Sequence, residues 1–220
     1  MRLYILCEGQ TEESFVKEIL SPYLQILDIY AKPIICETKR TASKKYKGGV
    51  SKYSKIRAEL EILCKGDPTA FTTTMLDYYK LPRDTPGKDS MGDIYEVAQG
   101  IEVAVKSNLG GLRNLLVNLT LHEFEGLLFS DVNAFQGVAK ADNNIVMELR
   151  RIKSGFPSPE HINDSEMTAP SKQIKKILPE YSKTLNGIEI AKRIGIDKIA
   201  EECQHFRIWL ENIKVLAKGG

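Results

Sequence analysis

The feature that most constrains this chain is an alternation, over residues 1–130, of extended apolar runs with helical patterns. Continuously apolar or β-branched runs are typical of parallel strands buried on both faces by crossover helices. The sequence therefore predicts an α/β fold with a central parallel sheet of about four strands. We expect strands at 2–7, 32–37, 70–76 and 115–121, and helices near 11–27, 50–65 and 92–107. Pro22 predicts a kink or an early stop in the first helix.

The character of the chain changes after residue 130, where strand signals fade and prolines interrupt short helical patterns. We expect two parts, an α/β domain over 1–130 and a mainly helical region over 131–220 that packs on it. An apolar stripe at helical spacing near the C-terminus is typical of core or of a docking surface. Its members are Phe206, Trp209, Leu210, Ile213 and Leu216.

Composition excludes some classes of protein. The 31 basic and 29 acidic residues give a net charge of only +2, so the overall charge calls for neither nucleic acid nor a membrane. We find neither a signal peptide nor a stretch of about 20 apolar residues. The four cysteines form no C-x-x-C pair. These observations predict a cytoplasmic protein with buried free thiols.

Glu8 stands where the first apolar run stops and the first helix starts. Gly9 is expected to form the turn and Thr11 to cap the helix. Glu8 then projects from the carboxyl end of a strand, the edge at which parallel α/β sheets bind ligands. Two interpretations are open at this point, a binding or catalytic role and a role only in capping the helix.

Asp77 ends the third expected strand and is followed by a long loop. If the first and third strands are neighbours, Glu8 and Asp77 emerge side by side. Two carboxylates that converge on one point suit Mg²⁺ or Mn²⁺. Aspartate at a strand end is also an ordinary turn former, so that interpretation stays open.

The segment 122–126 (HEFEG) follows the fourth expected strand directly. Alternate residues of an extended chain share a face, so Glu123 and Glu125 are expected to point together toward the same sheet edge. A second histidine is missing, so this is not the H-E-x-x-H zinc motif. His122 is also compatible with a histidine that is hydrogen-bonded within the fold.

A basic segment lies between the second and third expected strands. It holds eight basic residues and no acid, with tyrosines and glycines interspersed, and such a segment suits the binding of a nucleic-acid backbone. The alternative is a solvated basic surface. No Walker A sequence occurs, so ATP hydrolysis by this chain is not expected. The basic residues are Lys39, Arg40, Lys44, Lys45, Lys47, Lys52, Lys55 and Arg57.

Acidic strand ends of this kind resemble the Toprim domain of primases, topoisomerases and overcoming-lysogenization-defect (OLD) nucleases. More closely, the chain resembles an uncharacterised bacterial family of Toprim-related proteins with E-G-x-T-E, T-x-x-D-Y-Y and H-E-F-E motifs, here at 8–12, 74–79 and 122–125. Further matches are Asn163, residues 169–172 (APSK) and residues 203–206 (CQHF). The Toprim resemblance covers about the first 130 residues, and the closer one covers nearly the whole chain.

The resemblance implies metal-dependent hydrolysis of phosphodiester bonds in DNA or RNA, with Mg²⁺ or Mn²⁺ as cofactor. Asp77 with Glu123 or Glu125 would hold the metal, and Glu8 would bind a second ion or act as general acid or base. Toprim sites usually carry D-x-D after the third strand, whereas Tyr79 stands at the second acidic position here. Glu123 or Glu125 is expected to supply the missing carboxylate, and the alternative is a weak or inactive one-metal site.

OLD-type nucleases work with ABC-like ATPases, often in phage defence, so the resemblance also implies a possible ABC- or AAA-type ATPase partner. One alternative is a binding or regulatory module of such an ATPase that does no chemistry, docked through the stripe around Trp209. A weaker alternative is a phosphatase or transferase that acts on a small phosphorylated molecule.

Overall fold

A computed structural model describes residues 1–36, 52–121, 123–162 and 168–219, and within them the chain has the expected α/β architecture. All strand pairs of the sheet are parallel, in the order β2-β1-β3-β4, with β5 also paired to β3. The prediction of a central parallel sheet with a mostly helical C-terminal region is therefore confirmed. The strands are β1 (Arg2–Cys7), β2 (Tyr30–Ile35), β3 (Phe71–Asp77), β4 (Leu115–Leu116) and β5 (Leu119–Thr120).

Helices cover both faces of the sheet, as crossover connections between parallel strands require. Leu3 and Ile5 of β1 belong to one apolar cluster, and Leu6 belongs to another on the opposite side. The α-helices are α1 (Gln10–Phe15), α2 (Ser21–Gln25), α3 (Tyr53–Gly66), α4 (Ile94–Asn108), α5 (Phe124–Leu127), α6 (Asn143–Ser154), α7 (Pro170–Ile177), α8 (Ile188–Ile194), α9 (Ile196–Glu202) and α10 (Gln204–Lys218).

The start and the middle of the first helix differ from expectation. Gly9, not Thr11, is the N-cap, because its carbonyl accepts the Glu13 N–H at 3.0 Å and Thr11 is buried in the first helical turn. Pro22 does not stop the helix. The π-helical turn Val16–Leu20 lies between α1 and α2, and its wider spacing of hydrogen bonds accommodates a proline that lacks a backbone donor.

Two expected strands differ in their bounds. The second strand begins and ends two residues before the expected 32–37, because β1 pairs with it from Arg2↔Tyr30 to Cys7↔Ile35. The fourth strand is split into β4 and β5. There the Thr74 hydroxyl donates to the Asn118 carbonyl at 2.5 Å and accepts the Asn118 N–H at 2.8 Å, so a side chain replaces the regular ladder.

The C-terminal helices share an apolar core with the sheet. Phe206, Trp209 and Ile213 of α10 lie in the same cluster as Leu3 and Ile5 of β1. The Trp209 indole N–H also donates to the Thr73 hydroxyl of β3 at 2.9 Å. The stripe at 206–216 is therefore core for most of its length, which removes it as the docking surface that the sequence left open.

All four cysteines lie within the described residues, where each is buried and unpaired with another thiol, as expected. Burial raises the pKa of Cys36 to about 11, so this thiol stays protonated at neutral pH. None of the helices in the described part of the chain is both long and apolar enough to cross a bilayer.

Candidate functional site

Glu8 and Asp77 meet at the carboxyl edge of the sheet. β1 and β3 are adjacent parallel strands, and Glu8 follows the first while Asp77 ends the second. The backbone N–H of Asp77 donates to Glu8 Oε2 at 3.3 Å, and the Glu8 N–H donates to the Met75 carbonyl at 3.3 Å. The expectation that these two acids emerge side by side is confirmed.

Lys80 joins the two carboxylates. It lies in the 3₁₀ turn Tyr78–Lys80 that follows β3, and its Nζ is 2.7 Å from Asp77 Oδ2 and 3.0 Å from Glu8 Oε1. Burial lowers the pKa of Lys80, but the charges of Asp77 and Glu8 outweigh burial and raise it above the ordinary lysine value. The ammonium therefore stays charged and offsets part of the negative charge of the pair.

Asp77 keeps one oxygen without a partner. Its side chain is almost wholly buried, and Oδ1 has no hydrogen-bond partner among the described residues. Burial is the main factor that raises the pKa of Asp77, and the negative charges of Glu8 and Glu12 raise it further. A buried carboxylate oxygen without a partner costs folding free energy.

Glu12 adds a third acid from the first turn of α1. Its side chain is buried, and a Cβ on Gly9 would lie 3.4 Å from Glu12 Oε2, so the carboxylate folds back over the turn. Burial raises the pKa of Glu12, its own backbone N–H lowers it, and the negative charge of Glu8 raises it again. Glu12 therefore belongs to the electrostatic environment of Glu8.

Glu123 and Glu125 form a second group around Lys183. Glu123 is the N-cap of α5 and Glu125 lies in its first turn, so the pair shares a helix start and not the extended face that was expected. Lys183 Nζ is 2.9 Å from Glu125 and 3.6 Å from Glu123. Glu123 also accepts the backbone N–H of Ser171 at 3.1 Å, which gives part of the 169–172 motif a structural role.

The charges of the Glu8–Asp77 group and the Glu123–Glu125 group act on each other, but the two groups do not form one cluster. Burial raises the pKa of Glu123, while Lys183, Ser171 and more weakly Lys80 lower it, and the net shift is downward. Lys183 also acts on Glu12. Within the described residues, however, no three His, Cys, Asp or Glu side chains converge closely enough to hold one ion. The structure thus pairs Glu8 with Asp77 and Glu123 with Glu125, and does not bring all four together.

The basic segment is only partly within the described residues. Its members Lys39, Arg40, Lys44, Lys45 and Lys47 lie outside them, as do His122 and Asn163. Lys52 is described as the exposed N-cap of α3, and Lys55 lies in the first turn of that helix. The next turn carries Ile56, which lines a small recess together with Glu8, Asp77 and Lys80. The described end of the segment therefore adjoins the carboxyl edge.

A further acidic cluster fixes the start of α10. Both oxygens of the buried Glu160 are occupied, Oε2 by the His205 N–H at 2.9 Å and Oε1 by the Phe206 N–H at 3.0 Å. Tyr95 also donates to Oε2 at 3.2 Å. The His205 ring lies 2.8 Å from Glu102, which in turn accepts the Leu119 N–H at 2.8 Å. The 203–206 motif is therefore structural.

Three residues of the site were not singled out from the sequence. Glu12 belongs to the 8–12 motif, and the sequence indicated only that it lies in an acidic first helical turn. Lys80 directly follows the DYY residues, and a lysine just after a strand-end acid was the available signal for it. Lys183 is one lysine among many in the C-terminal region, and only the fold brings it to Glu123 and Glu125.

Comparisons with known proteins identify only the family of this chain. The comparison with curated proteins and the comparison with solved structures each found no match. A family model described as "Domain of unknown function (DUF4276)" matches residues 7–214, which run from the last residue of β1 through the carboxyl-edge acids and into α10. The chain therefore belongs to the DUF4276 family.

Proposed function

We propose that this protein is a metal-dependent nuclease that hydrolyses phosphodiester bonds in DNA or RNA at the Glu8–Asp77 edge of its sheet. The observation that carries the proposal is the buried Oδ1 of Asp77, which lacks a hydrogen-bond partner within the described residues, in an aspartate whose backbone N–H donates to the Glu8 carboxylate. Such an oxygen is costly in a fold that has no use for it.

The donor set of this edge fits Mg²⁺ or Mn²⁺. Both are hard cations that prefer carboxylate oxygens, and Mg²⁺ is usually held by one or two carboxylates while it keeps several waters. Glu8 and Asp77 are two such ligands, so the lack of a third converging acid among the described residues does not conflict with this kind of site. Glu123 and Glu125 are engaged by Lys183 and would act on the centre through their charge.

In the proposed reaction, a bound divalent ion would supply an activated water and neutralise charge on the phosphate. Asp77 would be a ligand of the ion, and in the structure its carboxylate is held in place by the ion pair between Oδ2 and Lys80 at 2.7 Å. Glu8, which is less buried than Asp77, would bind the ion or exchange a proton with the attacking or leaving oxygen. Leu81 and Pro82 line the same recess and would limit the access of bulk water.

A nucleic-acid substrate is supported by the basic segment, whose described end adjoins the recess. The basic residues of 39–57 would bind the phosphate backbone, and a basic segment of this length rarely serves a small ligand alone. The similarity to Toprim nucleases of the OLD type extends the proposal to a cytoplasmic role in antiviral defence, with an ABC- or AAA-type ATPase as partner.

The ion pairs with Lys80 and Lys183 favour a second candidate, a non-catalytic binding or regulatory subunit of such an ATPase. In that case the lysines would be permanent partners of the acids and the cluster would be structural. Because most of the stripe around Trp209 is buried, the partner would bind another surface.

Calorimetry with Mn²⁺ and Mg²⁺ tests the proposal, together with cleavage of plasmid DNA and tRNA by the same samples. The variants are Glu8→Gln and Asp77→Asn, which keep side-chain size, and Glu160→Gln is the matched control because it makes the same change in a buried acid away from the edge. We expect wild type and Glu160→Gln to bind metal and to cut, and both edge variants to lose binding and cutting. A wild type that binds neither ion would contradict the nuclease and leave the regulatory subunit.

A further inference from the structure

Lys80 occupies the point at which a cation shared by Glu8 and Asp77 would lie. Its Nζ contacts one oxygen of each carboxylate, at 3.0 and 2.7 Å. We infer that Lys80 is a built-in counter-ion that a divalent cation must displace, so that this lysine sets the metal concentration at which the site fills. The inference rests on the proposed metal site and concerns its regulation.

The Lys80 ammonium can move away from the two carboxylates without any change in the sheet. Its side chain is 40% exposed, whereas the Glu8 and Asp77 side chains beneath it are 12% and 2% exposed. A lysine has a flexible four-carbon stem, and rotation about that stem moves the ammonium into solvent. Release therefore requires a side-chain rotation, and both carboxylates stay where β1 and β3 hold them.

The turn that carries Lys80 is held independently of the carboxylates. Lys88 donates to the Tyr78 carbonyl at 2.5 Å, and its ammonium lies 3.6 Å from the centre of the Tyr78 ring. Burial is the cause that lowers the pKa of Lys88, to about 8. Lys88 thus anchors the backbone of the turn through Tyr78, while Lys80 alone bridges the two acids from that turn.

Charge favours displacement by a divalent ion. Lys80 and the Mg²⁺ or Mn²⁺ ion would compete for the same two oxygens, and like charges repel strongly at a shared point. A divalent ion brings twice the charge of an ammonium, and Asp77 Oδ1, which Lys80 does not contact, would be available to it as a further ligand atom. Because only the ion would use this oxygen, the oxygen would favour binding of the ion over binding of the Lys80 ammonium.

The test compares Mn²⁺ binding by calorimetry in wild type, Lys80→Met, Lys140→Met and Asp77→Asn, with a melting curve for each. Removal of the competing ammonium is expected to tighten Mn²⁺ binding about tenfold in Lys80→Met. Lys140→Met removes the same charge from an exposed ion pair with Glu180 without freeing an edge carboxylate, and we expect a change below about twofold. Unchanged or weaker binding by Lys80→Met would overturn the inference.

A second measurement uses the wild type alone, so it does not depend on whether a variant folds. It follows the lysine ammonium groups by ¹⁵N NMR during Mg²⁺ addition. Ion-paired ammonium groups are protected from exchange with water. We expect Mg²⁺ to abolish the Lys80 signal and to leave the Lys183 signal in place. Persistence of the Lys80 signal at saturating Mg²⁺ would refute displacement.

The outcomes separate this inference from the proposed function. If wild type binds Mn²⁺, Asp77→Asn does not, and Lys80→Met binds like wild type, the metal site stands and the counter-ion role fails. If neither wild type nor Lys80→Met binds Mn²⁺, the metal site fails and the inference fails with it. If only Lys80→Met binds Mn²⁺, the lysine is a counter-ion that excludes the ion at the concentrations tested.

Discussion

Two buried acidic clusters in this molecule use the same chemical groups in opposite ways. At the start of α10, Glu160 accepts hydrogen bonds at both of its oxygens, and Glu102 links the His205 ring to the backbone of β5. At the carboxyl edge, Asp77 leaves one buried oxygen without a partner within the described chain, and burial raises its pKa. The first cluster completes a network of hydrogen bonds, and the second leaves one incomplete.

The difference separates an acid whose burial is offset by hydrogen bonds from an acid whose burial is not. An acid that meets backbone N–H groups at a helix start repays its burial through charge-assisted hydrogen bonds. An acid that is buried beside other acids, with a single lysine to offset their charge, lowers the stability of the fold. Acids of this kind cluster at functional sites. Substitutions that affect stability and metal binding differently therefore test this comparison.

Asp77→Asn is expected to have the largest effect, a loss of metal binding without a loss of stability. Loss of the charged ligand should lower Mn²⁺ affinity at least about 100-fold, or roughly 2.7 kcal/mol. The folded pKa of Asp77 lies above its ordinary value of 3.8, so its contribution to stability is present below that pH and is lost as the pH rises through the folded pKa. At pH 7.5 the variant should therefore melt at or above the wild-type temperature, by about 2–4 °C for each kcal/mol gained. A clear fall in melting temperature would show that the acid is structural.

Glu160→Gln is expected to give the opposite result. The amide nitrogen cannot accept a hydrogen bond, so one of the N–H groups of His205 and Phe206 loses its partner in the interior. We expect a loss of about 3 kcal/mol in the free energy of unfolding. Melting curves check the loss, and calorimetry checks that Mn²⁺ affinity stays at the wild-type value. A matching loss of metal affinity would mean that the two clusters are coupled.

The sheet and the Glu8–Asp77 pair were predictable because their signals are local. Each strand is a short run of apolar or β-branched residues, and an acid at the end of a parallel strand has only one edge to occupy. The split at Thr74 and Asn118 was not predictable, since it depends on a side chain that bonds across strands. Likewise, periodicity could not reveal that Lys183 meets Glu125 from 58 residues away.

The His205–Glu102 contact should give stability that depends on pH. Burial lowers the pKa of His205, but the hydrogen bond and charge of Glu102, with the charge of Glu160, raise it above 6.5 overall. For a raised histidine pKa, the stabilisation is complete below 6.5 and is lost as the pH rises through the folded pKa. His205→Gln should therefore cost about 1 kcal/mol more at pH 6.0 than at pH 8.5. Melting curves at the two values measure this, and equal losses would contradict the ion pair.

The smallest effect is expected at Glu12, which tests whether the carboxyl edge is destabilised by like charge. Burial and the charge of Glu8 raise its pKa, so Glu12 contributes stability below its ordinary value of 4.5 and loses it as the pH rises through the folded pKa. The Oε1 of a glutamine can still accept the backbone N–H of residue 12, so Glu12→Gln removes the charge without a lost bond.

We therefore expect Glu12→Gln to raise stability at pH 7.5 by less than about 1 kcal/mol, and the gain to vanish at pH 4.0. Mn²⁺ affinity should fall only about twofold to threefold, because Glu12 acts on the ion through its charge and not as a ligand. Melting curves at both pH values and one calorimetric titration measure these effects. A gain that persists at pH 4.0 would assign the effect to packing, and a loss of Mn²⁺ binding as large as that of Asp77→Asn would make Glu12 a ligand.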